Sequence, residues 1–343
     1  MANIVIDASW YKEFADAIAL RPYLYLGRLN AQGFYDLIKN VLSDIIFCSA
    51  GKDALLTILM ENSRTYKVTV SGALDKKIIA AIFSKFSCCH ILCATCASCR
   101  IYKSDGEQVL QEFFEYGQLI DSNCSAHNSA PGIEISFKLN EDYFKTGLGY
   151  HELSELCFEL AVLNKNIKIF LKGKSEPHNS QNYYHFPEGM KHLLDTLCNK
   201  AFHFLPVVFI DEFFNGNYYQ IGIAFQQKHY LDIDRVSYAG YGRTIEGGSL
   251  DEGIISGMMD VRRKYRKVYS SNDDCPISRY HFKGRMIVVC QVVSDGNCYN
   301  YYGSLRNKLN MPQMKKDVRR LVRERVSFIF ENNAELAAAA CNT

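Results

Sequence analysis

Residues 153–171 read Leu153-Ser-Glu-Leu-Cys-Phe-Glu-Leu-Ala-Val-Leu-Asn164-Lys-Asn-Ile167-Lys-Ile-Phe-Leu171. Leu153, Leu156, Phe158, Leu160 and Leu163 supply the apolar positions of a helix over 151–164. Ile167 to Leu171 then reads as a short buried strand. A helix passing directly into a strand is an α/β signature.

The same signature extends in both directions. On the N-terminal side the patterns predict helices over 9–20, with Ser9 as N-cap, and over 33–48 and 76–86. Arg21-Pro22 ends the first, because a residue before proline avoids the α region. Strands are expected over 54–60, 65–71, 100–103, 112–116 and 132–138. On the C-terminal side a polar hairpin-like segment (172–182) precedes a helix over 189–201. Strands over 207–212, 218–225 and 230–237 follow, then a Gly-rich loop over 240–248. A helix over 250–265, a strand over 285–293 and a basic helix over 312–331 complete the pattern. The texture changes near residue 150. The expectation is therefore an α/β (α+β) chain with domains 1–149 and 150–335 and a frayed tail, 336–343.

The 343 residues, 48% hydrophobic and 22% charged, suit two globular domains and exclude a disordered or collagen-like chain. No apolar run approaches the ~18 residues of a membrane span. The N-terminal residues lack the pattern of a signal peptide. Thirteen cysteines, an odd number, are read as reduced thiols in a cytoplasmic protein. The net charge of +2 hides an asymmetry: Arg262 to Arg325 holds sixteen Lys/Arg against five Asp/Glu, a net of +11, leaving −9 elsewhere. An anionic partner is sought in that segment.

Three constellations invite a chemical reading, each with a plainer alternative. Cys93, Cys96 and Cys99 have metal-like spacing, but Cys89, Cys93 and Cys96 also fit the buried stripe of a helix. The glycines of residues 240–248 either cradle phosphate on free amides or make a tight strand-to-helix turn. Arg262, Arg263, Lys264, Arg266 and Lys267, with Lys316, Arg319, Arg320 and Arg323 on one face of the last helix, either contact nucleic-acid phosphates or form a solvated face. No GxSxG or HExxH motif is present.

Several segments, in order, resemble the ATPase half of type II DNA topoisomerase B subunits, the gyrase B and topoisomerase IV family of GHKL proteins. Arg21-Pro-Tyr-Leu-Tyr-Leu-Gly27 is similar to that family's RPGMYIG turn, and residues 153–171 to its LRELAFLN helix and following strand. Tyr184-His-Phe-Pro-Glu-Gly-Met190, Tyr219 to Phe225, Asp232 to Tyr238 and Lys283 to Val289 resemble later strands and turns. Glu246-Gly-Gly-Ser-Leu-Asp-Glu-Gly253 resembles the EGGTH loop, and Gly303-Ser-Leu-Arg-Asn-Lys-Leu309 stands where the family carries its QTK loop.

The resemblance implies a GHKL-like mixed sheet followed by a transducer domain with a βαβ crossover. It implies ATP and Mg²⁺ chemistry in the family, with ATP-driven dimerisation and passage of duplex DNA. The chemical positions depart from the pattern. Asn40 stands at the general-base position, and an amide cannot take a proton from water. Asp44 replaces the Mg²⁺-binding Asn and remains a suitable oxygen ligand. The adenine-reading strand becomes Val68 to Leu74 without an Asp, and the lid region, 74–93, has no glycine. Arg306 keeps a positive charge in the QTK segment. The expectation is a lid-less, degenerate module with no cofactor and no resident metal, whose partner is duplex DNA or a protein, as a homodimer or a mixed dimer with a topoisomerase B subunit. The rival expectation is an ATPase using Asp44 or Glu61 as base. A chain ending at this length is expected to lack the family's cleavage-assisting domain.

Overall fold

The computed structural model describes residues 8–47, 53–72, 88–126, 130–175, 178–199, 207–225, 234–269, 286–294, 298–302, 306–335 and 337. The expected helix over 76–86 and most of the lid region lie outside them. The chain divides into two compact units, Met1–Pro187 and Glu188–Thr343.

The first unit is built on eight strands: β1 (Ala54–Asn62), β2 (Thr65–Gly72), β3 (Cys96–Ser104), β4 (Gln108–Glu115), β5 (Gln118–Ala126), β6 (Gly132–Leu139), β7 (Ile167–Ser175) and β8 (His178–Tyr184). Their order in the sheet is β5-β4-β3-β6-β2-β1-β7-β8. Alternation puts Leu56, Ile58, Tyr66, Val68, Ile133, Ile135, Ile169 and Leu171 on one buried face. The helices are α1 (Ala8–Leu20), α2 (Pro22–Leu26), α3 (Ala31–Phe47), α4 (Cys88–Thr95) and α5 (Tyr150–Val162). α1 reaches the buried face through Tyr11 on Phe114, and α3 through Phe34 on Tyr66 and Phe137. α5 does so through Ser154, hydrogen-bonded to the Tyr184 hydroxyl at 2.6 Å.

β7 pairs in parallel with β1, from Ala54 opposite Ile167 to Met60 opposite Gly173. Residues 150–187 therefore complete the first sheet, and the division falls at 187/188 rather than at the expected 149/150. The change of texture at residue 150 marks the start of α5, which leads the chain into β7 beside β1. β5, which sequence periodicity did not reveal, is an exposed edge strand whose side chains follow no buried alternation.

The second unit carries β9 (Val208–Phe214), β10 (Asn217–Phe225), β11 (Asp234–Ala239), β12 (Gly242–Arg243) and β14 (Met286–Ser294), in the order β12-β11-β14-β10-β9. β11 and β14 are parallel, and helix α7 (Ser249–Tyr269) lies between them in sequence, so the expected βαβ crossover is present. One sheet face, including Tyr219, Ile221, Val288 and Val292, forms a core with Ile254 and Met258 of α7 and Val318 and Val322 of α8 (Pro312–Asn332). Helix α6 (Met190–Asn199) takes the other face, where Leu194 meets Gly222. Two-residue strands β13 (Gly247–Gly248) and β15 (Lys308–Leu309) pair beside α7.

Gly247 and Gly248 have φ of +72° and +116°, and a Cβ on Gly248 would lie 2.2 Å from the Leu309 carbonyl oxygen. Only glycine satisfies both demands. The Gly-rich segment is thus a strand-to-helix turn that holds the chain entering α8. The tail is mostly outside the described residues, but Ala337 is buried in this core rather than frayed.

Candidate functional site

Asn40 and Asp44 lie one turn apart on α3. Asn40 is exposed and Asp44 is half-buried. Burial pushes the Asp44 carboxyl up to about 6, and a hydrogen bond from Cys88 at the start of α4 partly opposes this. Asp36, one turn earlier, is exposed and accepts a hydrogen bond from Gln32 at 3.1 Å. Lys39, on the neighbouring stripe, is tied to Glu159 of α5 at 2.9 Å. Glu61 is exposed at the end of β1. Val68 to Gly72 lie in β2, and Ala73 and Leu74 are outside the described residues. Arg306 belongs to the second unit, where it is exposed with φ of +56°.

The Cys-rich stretch splits between two elements. Cys89 and Cys93 are on α4, whereas Cys96 and Cys99 are on β3, so a single helical stripe through Cys96 does not form. All four are buried, and the Cys93 and Cys99 sulfurs are 3.6 Å apart. Burial holds the Cys89, Cys93 and Cys96 thiols well above the usual range, which opposes the thiolate a metal needs. Among the described residues no group of three or more His, Cys, Asp or Glu is arranged to hold a metal ion, and none of the ten described cysteines is in a disulfide. Beside the thiols, Lys103 of β3 and Glu112 of β4 form an ion pair of 3.0 Å with 2% and 0% side-chain exposure. Sequence reading missed this pair because both residues look like ordinary strand-surface charges.

The basic segment is where the tertiary structure changes the count most. Arg262 is buried in the second unit and leaves the set of surface contacts. The side chain of Lys267 is outside the described residues. Arg263, Lys264, Lys316, Arg319, Arg320 and Arg323 are exposed, and Arg266 is half-buried. Several of these charges are answered locally. Arg319 grips Asp260 with two hydrogen bonds of 2.7 and 3.1 Å, and Arg263 approaches the same carboxylate at 3.6 Å. Lys264 meets Glu331 at 2.9 Å, Lys315 meets Glu252 at 2.6 Å and Arg320 meets Glu324 at 2.8 Å. Arg325 pairs with Glu212. Lys316 and Arg323, seven residues apart on one face of α8, take part in none of these pairs. Exposed pairs of this kind are worth at most about 1 kcal/mol, so a phosphate can replace a carboxylate partner at little cost.

No family model matches the chain. It is 23% identical over 371 aligned residues to the B subunit of DNA gyrase from Clostridium acetobutylicum, an alignment covering 97% of this chain and 57% of that protein. It is 21% identical to the B subunit of DNA topoisomerase 4 from Streptococcus pneumoniae, over 97% of this chain and 56% of the relative. The chain thus spans little more than half the length of these curated relatives. Among solved structures it superposes on the DNA gyrase B-subunit from Myxococcus xanthus with a TM-score of 0.79, at 13% identity, covering 96% of this chain and 99% of that one. The 43K ATPase domain of Thermus thermophilus gyrase B, solved with an aminocoumarin, gives 0.77 at 16% identity, covering 95% and 92% of the two chains. These likenesses cover 95–97% of the chain and so run through both units, and the chain resembles, in sequence and in fold, the N-terminal ATPase-plus-transducer region of type II DNA topoisomerase B subunits.

Proposed function

We propose that this chain is a degenerate GHKL module that does not hydrolyse ATP and that contacts duplex DNA through the basic face of α7 and α8. The observation that carries the reading is Asn40, which the resemblance assigns to the family's general-base position and which is an amide, exposed on α3. The exposed lysines and arginines of α7 and α8 supply the DNA-contacting half of the proposal. Lys316 and Arg323 make the first phosphate contacts, and Arg319 and Arg320 follow by exchanging their carboxylates. The assembly this reading expects is a dimer, of two copies or with a topoisomerase B subunit.

Titration of the full chain with Mg-ATP should give no heat of binding and no phosphate release above background. Duplex affinity should fall steeply between about 50 and 200 mM salt, and Arg323→Gln should reduce the salt slope by about 1. A flat salt response overturns the DNA half and leaves a protein scaffold. Micromolar binding of ATP overturns the nucleotide half.

One observation favours a second reading, a rearranged ATPase. A carboxyl held near 6 on the turn after Asn40 has the affinity for protons that a general base requires at neutral pH. Phosphate release that is abolished by Asp44→Asn would establish it.

A further inference from the structure

β7 and β8 close one edge of the first unit's sheet, and their two faces differ in chemistry. Ile167, Ile169 and Leu171 are buried against the helices. On the opposite face β7 presents Lys168, Phe170, Lys172 and Lys174 in alternation. Tyr183 of β8 stands directly across from Phe170 and is 57% exposed. The Lys172 ammonium lies 4.8 Å from the centre of the Phe170 ring. The register partners on this face are uncharged: Leu55, Thr57 and Leu59 of β1 and Gln181 of β8. Asp53, 3.9 Å from Lys168, and the exposed Glu61, two residues beyond Leu59 on the same face of β1, are the carboxylates at the two ends of the row.

A solvent-facing sheet surface gains little from a tyrosine ring left in water beside a half-buried phenylalanine, and like charges along a strand repel. Both costs are relieved by a ligand that offers flat π-faces joined by negative charges. Unpaired nucleotides have that composition: bases stack on rings, and phosphates meet ammonium groups. A duplex hides its base faces and cannot stack on a sheet in this way. Lys168 and Lys174 are roughly 20 Å apart along the strand, enough for a short single-strand site of about four nucleotides.

We propose that the outer face of β7 and β8, with Phe170 and Tyr183 as stacking platform and Lys168, Lys172 and Lys174 as phosphate contacts, binds single-stranded nucleic acid. The site belongs to the first unit and the duplex-contacting face of α7 and α8 to the second, and the proposal stands or falls independently of that face.

The test is fluorescence anisotropy of the full chain with labelled dT12 and with a 12-base-pair duplex across about 50 to 200 mM salt. Tyr183→Ala should weaken dT12 binding by about 5- to 100-fold, and Tyr183→Phe should restore it. Lys172→Gln should lower the salt slope for dT12 by about 0.7. Arg323→Gln should leave dT12 unaffected. Tyr183 is exposed, so its variants retain the fold, which circular dichroism checks. Three outcomes overturn the proposal: no binding of dT12, binding indifferent to both Tyr183→Ala and Lys172→Gln, or binding reduced only by Arg323→Gln. Duplex binding with the same Tyr183 dependence also overturns it, because stacking requires unpaired bases.

Discussion

Replacing Asp44 by asparagine separates a chemical from a structural role at a half-buried carboxyl one turn from Asn40 on α3. In the folded chain burial carries the carboxyl from 3.8 to about 6, a difference that corresponds to about 3 kcal/mol at most. Below about pH 4 the group is protonated in both folded and unfolded chains, and the buried site costs nothing extra. Above about pH 6 it is ionised in both, and the folded chain alone holds that charge where hydration is poor. Its contribution to stability is therefore fully present in acid and is lost as pH rises through about 6. The asparagine variant carries no charge at this position and accepts the Cys88 hydrogen bond through its amide oxygen. Urea unfolding of the two proteins at matched pH should give the same stability near pH 4. Near pH 8 Asp44→Asn should be more stable by about 1–3 kcal/mol. Amide hydrogen exchange along α3 should show the same divergence. Parallel stability curves from pH 4 to pH 8 would refute the argument, since they would mean that the carboxyl is hydrated as in the unfolded chain.

Three further substitutions test the packing described above. Lys103→Met should cost about 3–5 kcal/mol because it strands the Glu112 charge, whereas Lys103→Met with Glu112→Leu should restore most of the loss; a thermal unfolding cycle measures both. Gly257→Ala should destabilise the second unit by about 1–2 kcal/mol, because a Cβ there would lie 2.8 Å from the Arg319 carbonyl oxygen and 2.9 Å from Val322 Cβ, outweighing the gain in helix propensity. Gly247→Ala should be more damaging, since its Cβ would meet the Asp251 carboxylate at 1.8 Å at a φ of +72°, and loss of cooperative unfolding of the second unit reports it.

Much of the architecture was legible along the chain because it depends on neighbours three, four or two residues apart. The periodicities of α3, α5, α7 and α8, and the alternation of β1, β2 and β6, come from short-range patterns of burial. β5 escaped notice because an edge strand exposed on both faces carries no such pattern. The division at 187/188 escaped because it depends on β7 choosing β1, a partner more than one hundred residues earlier.

At the candidate sites the sequence by itself determined the identity of each chemical group. Asn40 is an amide and cannot act as a base wherever α3 lies, and residues 68–74 contain no Asp in any fold. Only the tertiary structure decided which of those groups are available and in what state. Arg262 is buried and Arg319 is held by Asp260, fifty-nine residues away, so part of the charge counted in sequence is buried or answered by a carboxylate outside the segment. Asp44 owes its raised proton affinity to packing around it, and Phe170 stands across from Tyr183 only through strand register. Covalent chemistry is written residue by residue, whereas solvation and charge compensation are set by partners remote along the chain.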